Sequence, residues 1–280
     1  TPFHIFIQKL LYIFEINICM LDNDVKEYFK NEDNEQKDFE WIEYDLKDLG
    51  LPSVEQILDG VKKIESKVGL HSWRGKTRPQ HYKGFGLSYN PNFLDKSANR
   101  YNQVWGSDLL HQYYGGRLGL GDHTQIKDTY YDTFGFRKRD EVIQEHLGFF
   151  LDKFNFHISR SRVAYIFGFG EEPNDRGWHI DEPTCQLLRV NIPLQTSDEY
   201  VIETKNKTYN LELGKAYLWN TSMPHRPTII KKVKTEKPRI NVVIGMTPWL
   251  DYDKKNDTYS KNKYFGKSIC EIVNEKLFVK

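Results

Sequence analysis

A chain of 280 residues, 39% of them hydrophobic, can bury a full core as one large domain or one domain with a substantial extension, which excludes a disordered polypeptide. Forty basic residues against 39 acidic ones leave a net charge of +1, so no long-range field draws nucleic acid or anionic lipid, and an acidic ligand has to be met by local arginines. Three cysteines, Cys19, Cys185 and Cys270, lie far apart without a C-x-x-C pair, which points to a reducing, cytoplasmic setting and away from thiolate-bound zinc.

In chain order, the apolar segment from Ile5 to Cys19 is interrupted by Gln8, Lys9, Glu15 and Asn17 and is shorter than a membrane span, so no membrane partner is expected. Residues 1–19 are expected to lie upstream of a natural start at Met20; the alternative is an apolar helix or strand docked on the core. Residues 1–52 read as an N-terminal extension. Ser53, with Gln56 at capping-box spacing, opens a helix whose stripe is Val54, Ile57, Leu58, Val61 and Ile64. Asp140 opens a second, with Val142, Ile143, Leu147, Phe150, Leu151 and Phe154 at helical spacing. Between them, residues 71–136 are rich in Gly, Tyr, Trp and Arg and hold no sustained period; so long an irregular segment is expected to cover a site. Residues 53–160 thus form a helical and irregular substrate-covering region.

From Ser161 the character changes to short β-rich runs separated by turn residues: SRVAYIFG, WHIDEP, QLLRVNIP, YVIET, TYNLEL, AYLWN, HRPTIIKKV and RINVVIGM. Eight strands without intervening helices predict a mainly β fold with flanking α-helices, its core at residues 161–250 a jelly roll, or double-stranded β-helix, as in cupins. Residues 251–280 follow as a C-terminal extension. Lys231, Lys232, Lys234 and Lys237 fall in one predicted hairpin and read as a solvated edge, not a nucleic-acid surface.

With 9 histidines and 20 aspartates in the chain, the single H-x-D, His179 to Asp181, is no more than chance supplies. Its place changes its meaning: side chains two apart on a strand share a face, about 6.6 Å apart at Cα, and can converge on one ion. His225, at the start of the seventh run, would complete two imidazoles and one carboxylate, the facial triad of non-haem iron oxygenases. The bland alternative is a hydrogen-bonded pair and an unrelated histidine. Arg239 opens the eighth run, and its paired donors suit a carboxylate cosubstrate. In the third run, Arg189 and Asn191 share one face and Leu188, Val190 and Ile192 the other, which favours a polar cavity over a solid core.

The stretches RVAYIFGFG, WHIDEPTCQLLRVNIPL, LELGKAYLWNTSMPHRP and RINVVIGMTPWL, in that order from about Arg162 to Leu250, resemble the Fe(II)- and 2-oxoglutarate-dependent dioxygenases, in particular the aspartyl/asparaginyl β-hydroxylase-like branch, and are similar to the bacterial free proline hydroxylases. The resemblance implies that His179, Asp181 and His225 hold Fe(II), that Arg239 takes the distal carboxylate of 2-oxoglutarate, and that Arg189, Asn191 and Tyr165 contact this cosubstrate. It further implies O2 as oxidant, with succinate and CO2 as co-products of hydroxylation at an unactivated C–H bond. Asn191 stands where the branch has a histidine. The expected substrate is a free amino acid or similar small molecule, its charges met by residues such as Arg74, Arg78, Arg117 or His123. The rivals are a peptidyl hydroxylase, with an open groove, and a cupin-like metal protein or isomerase, which has no need of Arg239.

Overall fold

The computed structural model describes residue 25 and residues 39–72, 82–91, 100–101, 136–175, 178–179, 181, 184 and 187–273. Residues 1–19, and most of 71–136, lie outside the described residues. In chain order the elements are β1 (Trp41–Asp45), α1 (Val54–Val68), β2 (His71–Ser72), β3 (Tyr82–Gly86), α2 (Glu141–Leu151), β4 (Ile158–Ile166), β5 (Asn174–Asp175), β6 (Leu188–Gln195), β7 (Tyr200–Thr204), β8 (Thr208–Asn210), β9 (Lys215–Trp219), β10 (His225–Ile229), β11 (Arg239–Met246), β12 (Leu250–Asp253), β13 (Thr258–Lys261) and α3 (Ile269–Val273).

The strands form a seven-stranded sheet in the order β1-β9-β6-β11-β4-β3-β2, a four-stranded sheet in the order β5-β10-β7-β8, and the hairpin β12-β13. Every pairing is antiparallel. Two facing antiparallel sheets with helices against the larger one make the mainly β jelly roll that the run spacing predicts. No helix among the described residues is long and apolar enough to cross a membrane.

Alternation along the strands separates the faces of the large sheet. Val163 and Tyr165 of β4, Leu188, Val190 and Ile192 of β6, Ala216 and Leu218 of β9, and Ile240, Val242 and Ile244 of β11 join one buried cluster with Ile57, Val61 and Ile64 of α1 and Ile143, Leu147 and Phe150 of α2. Each such fully buried side chain contributes about 1.5–3 kcal/mol relative to exposure. The capping box predicted for α1 is present: Gln56 N–H donates to the Ser53 hydroxyl at 3.4 Å, and Ser53 N–H donates to the Gln56 side-chain oxygen at 3.0 Å. Asp140 caps α2, its carboxylate accepting from Val142 N–H at 2.9 Å. The helices approach at Gly60, where a Cβ would meet the His146 carbonyl oxygen at 2.4 Å.

Three predicted features come out differently. WHIDEP is not a regular strand at its described residues: His179 and His225 form one isolated bridge, each N–H donating to the other's carbonyl at 3.0 Å, and Asp181 N–H donates to Thr221 O at 2.8 Å. Residues 71–136 are not wholly irregular, because Tyr82–Gly86 pairs with β4 from Tyr82 opposite Ile166 to Gly86 opposite Arg162. Trp41–Asp45, within the N-terminal extension, is an edge strand of the same sheet, paired with β9.

Candidate metal centre and pocket

The face of the large sheet turned away from the helices carries the alternate set of residues. On β6 it presents Arg189 and Asn191, on β11 Arg239 and Asn241, and on β4 Arg162, Ala164 and Ile166, the positions between those in the helix-side cluster. Asn241 Nδ2 donates to Asn191 Oδ1 at 3.0 Å, a buried bond that fixes both amides on this face. At one end of the pocket Ile166 packs with Tyr200, Ile229 and Val233. At the other end lie His179, Asp181 and His225.

The bridge between residues 179 and 225 sets the two imidazoles side by side, with ring centroids 4.5 Å apart. One ligand atom from each of His179, Asp181 and His225 lies within 4.8 Å of the others. His225 Nε2 is 3.8 Å from Asp181 Oδ2. His225 Nδ1 is 2.9 Å from the Met223 carbonyl. A carbonyl only accepts, so Nδ1 carries the proton and Nε2 keeps its lone pair towards the cluster, the arrangement that orients a metal-binding histidine. Burial lowers the pKa of His225 despite the opposing charge of Asp181, which keeps the imidazole neutral at physiological pH. Burial alone would raise the Asp181 carboxyl, but Arg189 first, then His225, His179 and Arg162, outweigh it and hold the group well below the usual carboxylate range. His179 is exposed, Asp181 half-buried and His225 buried, so the cluster opens to solvent on the His179 side. The neutral imidazole of His225, the imidazole of His179 and the ionised carboxylate of Asp181 form a donor set that fits a divalent first-row metal.

The structure distributes the other sequence-derived residues unequally. Arg189, 4% exposed, donates to the Asp181 carboxylate and stands immediately beside the cluster. Arg239, also 4% exposed, lies on the pocket face at the far end of β11, opposite Ile166. Six residues separate it from Gly245, which pairs with Arg189, or about 20 Å along the strand. Tyr165 does not reach the pocket. Its ring joins the helix-side cluster, and its hydroxyl donates to Glu65 of α1 at 2.7 Å; burial and that carboxylate raise its pKa. Ala164 takes the pocket-facing position beside it. Arg74, Arg78, Arg117 and His123 lie outside the described residues.

One group escaped the sequence reading. Arg162, half-buried on the pocket face, acts electrostatically on both Arg189 and Asp181. The indole of Trp219 sits edge-on to His225 at 6.2 Å, the apolar wall of the cluster. Trp178 is 46% exposed, with the Arg226 guanidinium over its ring at 4.6 Å.

No protein-family model matches the chain, and no curated protein matches it significantly. Among solved structures, the chain is similar to a prolyl hydroxylase in complex with a hypoxia inducible factor oxygen degradation domain peptide fragment from Trichoplax adhaerens, at 11% identity and a TM-score of 0.37 over 80% of this chain and 89% of that one. It is similar to a prolyl-4-hydroxylase from Pseudomonas putida at 9% identity and a TM-score of 0.37, covering 75% of this chain and 93% of that one. It is also similar to an oxidoreductase of the 2OG-Fe(II) oxygenase family from Burkholderia pseudomallei, at 13% identity and a TM-score of 0.33 over 68% of this chain and 78% of that one.

Proposed function

We propose that this chain is an Fe(II)- and 2-oxoglutarate-dependent oxygenase of the aspartyl/asparaginyl β-hydroxylase-like kind, hydroxylating a C–H bond of an amino acid or similar small molecule. The observation that carries the reading is the cluster of His179, Asp181 and His225 at one end of a jelly-roll pocket whose sheet face carries buried arginines. The three side chains would hold Fe(II) on one side, the facial arrangement that leaves positions for other ligands. With iron bound, the site supplies O2 activation coupled to oxidative decarboxylation, so that one oxygen atom enters the substrate and the other enters succinate, with release of CO2.

The protein's own groups orient and neutralise. His225 is fixed by the Met223 carbonyl and needs no proton loss to act as a ligand. Arg189 holds the Asp181 carboxylate in place. Arg239 would take the distal carboxylate of 2-oxoglutarate in a desolvated pocket, where a bidentate guanidinium contact is strongest. The amides of Asn191 and Asn241 lie between the two ends and can orient a carboxylate or carbonyl oxygen. Trp219 excludes water from the buried side of His225.

The test has two parts. Equilibrium binding of Fe(II), then of 2-oxoglutarate to the iron-loaded protein, is expected to show one site for each. Succinate release under Fe(II), 2-oxoglutarate, O2 and ascorbate is then measured against free amino acids and against peptides containing Asp, Asn or Pro. Stimulation by peptides alone selects the peptidyl alternative. Iron binding without 2-oxoglutarate binding selects the cupin-like one.

A further inference from the structure

We infer that Asn220 is a positioning residue for the metal centre: it closes the turn from which all three metal-binding residues take a contact, and it ties that turn to the segment Phe39–Glu40. The inference rests on the metal-binding part of the proposed function and deepens it.

The first support is where the three residues are held. Asp181 N–H donates to the Thr221 carbonyl at 2.8 Å. The His225 ring is oriented by the Met223 carbonyl, 2.9 Å from Nδ1. His179 is joined to the backbone of His225 by both bonds of its bridge, each 3.0 Å. Neither His179 nor Asp181 belongs to β5 or β6, the strands on either side of them, so the contacts from residues 221–225 carry more of their placement than a regular ladder would leave to them.

The second support is what holds those residues. Asn220 is 2% exposed. Its backbone carbonyl accepts from Met223 N–H at 3.1 Å, and its side-chain oxygen accepts from Ser222 N–H at 3.1 Å and from the Ser222 hydroxyl, which closes the turn. Its side-chain nitrogen donates to the Phe39 carbonyl at 3.1 Å, and its backbone N–H donates to the Glu40 carbonyl at 3.0 Å. A backbone N–H only donates and a carbonyl only accepts, so Ser222 and Phe39 together fix which way the amide points. One carboxamide thus meets two needs that a carboxylate, with no donor, and a hydrocarbon cannot meet together.

The third support is that the anchor is gripped from the strand facing His225. The Glu40 carboxylate accepts from the Thr204 hydroxyl and from Asn206 Nδ2, the latter at 2.7 Å, and Thr204 pairs directly with His225 across β7 and β10. Trp41 pairs with Trp219, the residue before Asn220, and stacks on its indole at 5.4 Å, while Trp219 stands edge-on to His225. Residues 39–41 therefore reach His225 from two directions, through Thr204 and through Trp219 with Asn220. Partners that orient the ligands of a metal typically change its affinity by about 10- to 100-fold when they are lost.

The test uses Asn220→Asp in the full chain, which keeps the shape of the side chain and the acceptors for Ser222 but sets a carboxylate against the Phe39 carbonyl. Co(II), an optically visible stand-in for Fe(II), is titrated into the metal-free proteins, and its affinity and its d–d absorption are read together. Asn220→Asp is expected to weaken Co(II) by roughly 10- to 100-fold and to change the absorption band, because the ligands no longer meet the ion in one arrangement. Ile57→Ala, a cavity on the helix side of the large sheet, controls for stability: it is expected to lower the urea midpoint while leaving the affinity and the band as in wild type. Wild-type affinity and band in folded Asn220→Asp would overturn the inference, and so would an equal loss in Ile57→Ala, which would mean that affinity only follows stability. If Asn220→Asp does not fold, Glu40→Ala takes its place, since the Glu40 side chain is only half-buried and its removal releases Thr204 beside His225. Co(II) binding weaker by roughly tenfold in Glu40→Ala then supports the inference, and unchanged binding overturns it. Wild type that binds Co(II) but not 2-oxoglutarate would sink the oxygenase reading and leave the role of Asn220 in place; wild type that binds no divalent metal would sink both.

Discussion

Replacing Arg239 by methionine tests the pocket most directly, because the substitution keeps an unbranched apolar stem and removes the guanidinium with its charge and donors. Arg239 is 4% exposed at the end of β11 remote from the metal cluster, so a carboxylate bound there would be largely desolvated. Removing one partner of a desolvated, hydrogen-bonded charge pair weakens binding by about 2–5 kcal/mol. At about 1.4 kcal/mol per decade, even the lower bound weakens 2-oxoglutarate by roughly 30-fold. Lysine at the same position is expected to recover part of the loss, since an ammonium cannot offer paired donors. Iron affinity should stay within about twofold, because some 20 Å of strand separate Arg239 from the level of Arg189. Anaerobic calorimetric titration of the iron-loaded proteins with 2-oxoglutarate measures the ratio. Equal affinities for wild type and Arg239→Met would refute the assignment, and a parallel loss of iron affinity would mean that the strand end is coupled to the metal cluster structurally.

Three further outcomes are expected. Asp181→Asn, which keeps the shape of the side chain and its place beside Arg189, should abolish high-affinity iron binding with circular dichroism unchanged; retained iron affinity would remove Asp181 from the ligand set. Tyr165→Phe should lower stability by about 1 kcal/mol through loss of the bond to Glu65, read by urea denaturation, and leave the Kd for 2-oxoglutarate unchanged; a weaker Kd would return Tyr165 to the pocket. His157, wedged against Tyr252 at 4.1 Å and surrounded by Lys254, Arg139, Lys138 and Arg137, has a pKa lowered to about 3, first by burial and then by those cations. An unfolded histidine takes up a proton near pH 6.5, so between pH 6.5 and about 3 the unfolded state binds one proton more, and stability falls with pH by up to about 1.4 kcal/mol per unit on this account. His157→Phe should flatten the acid limb of a stability-against-pH profile, and an unchanged limb would mean that the group is not held neutral.

Much of the fold was legible wherever a local rule and the tertiary structure agree. Ser53 and Gln56 mark the start of α1 by hydrogen bonds made within four residues, and RINVVIGM coincides with Arg239–Met246 because a buried central strand is β-branched along its length. Strands β1 and β3 escaped for the converse reason. Trp41–Asp45 is five residues with two acids, and its order derives from pairing with β9 across more than 170 residues of sequence. Tyr82–Gly86 has glycine at two of five positions, a composition that local preference assigns to loops, and it is held by β4.

At the site, what decided legibility was the phase of each strand. On β6 and β11 the two faces differ in kind: Arg189 and Asn191, or Arg239 and Asn241, alternate with Leu, Val and Ile, so chemistry alone tells which set faces a pocket. On β4 both sets contain apolar residues, Val163 and Tyr165 against Ala164 and Ile166, and the sequence resemblance placed Tyr165 one position out of phase. The hydroxyl of Tyr165 on Glu65 settles the phase from the helix side, and the bond between Asn191 and Asn241 settles it from the pocket side. Since a slip of one residue exchanges the faces of a strand completely, the two placements are not independent. Tyr165 among the helices requires Arg162 in the pocket, so the residue that the sequence reading misplaced identifies the one that it missed.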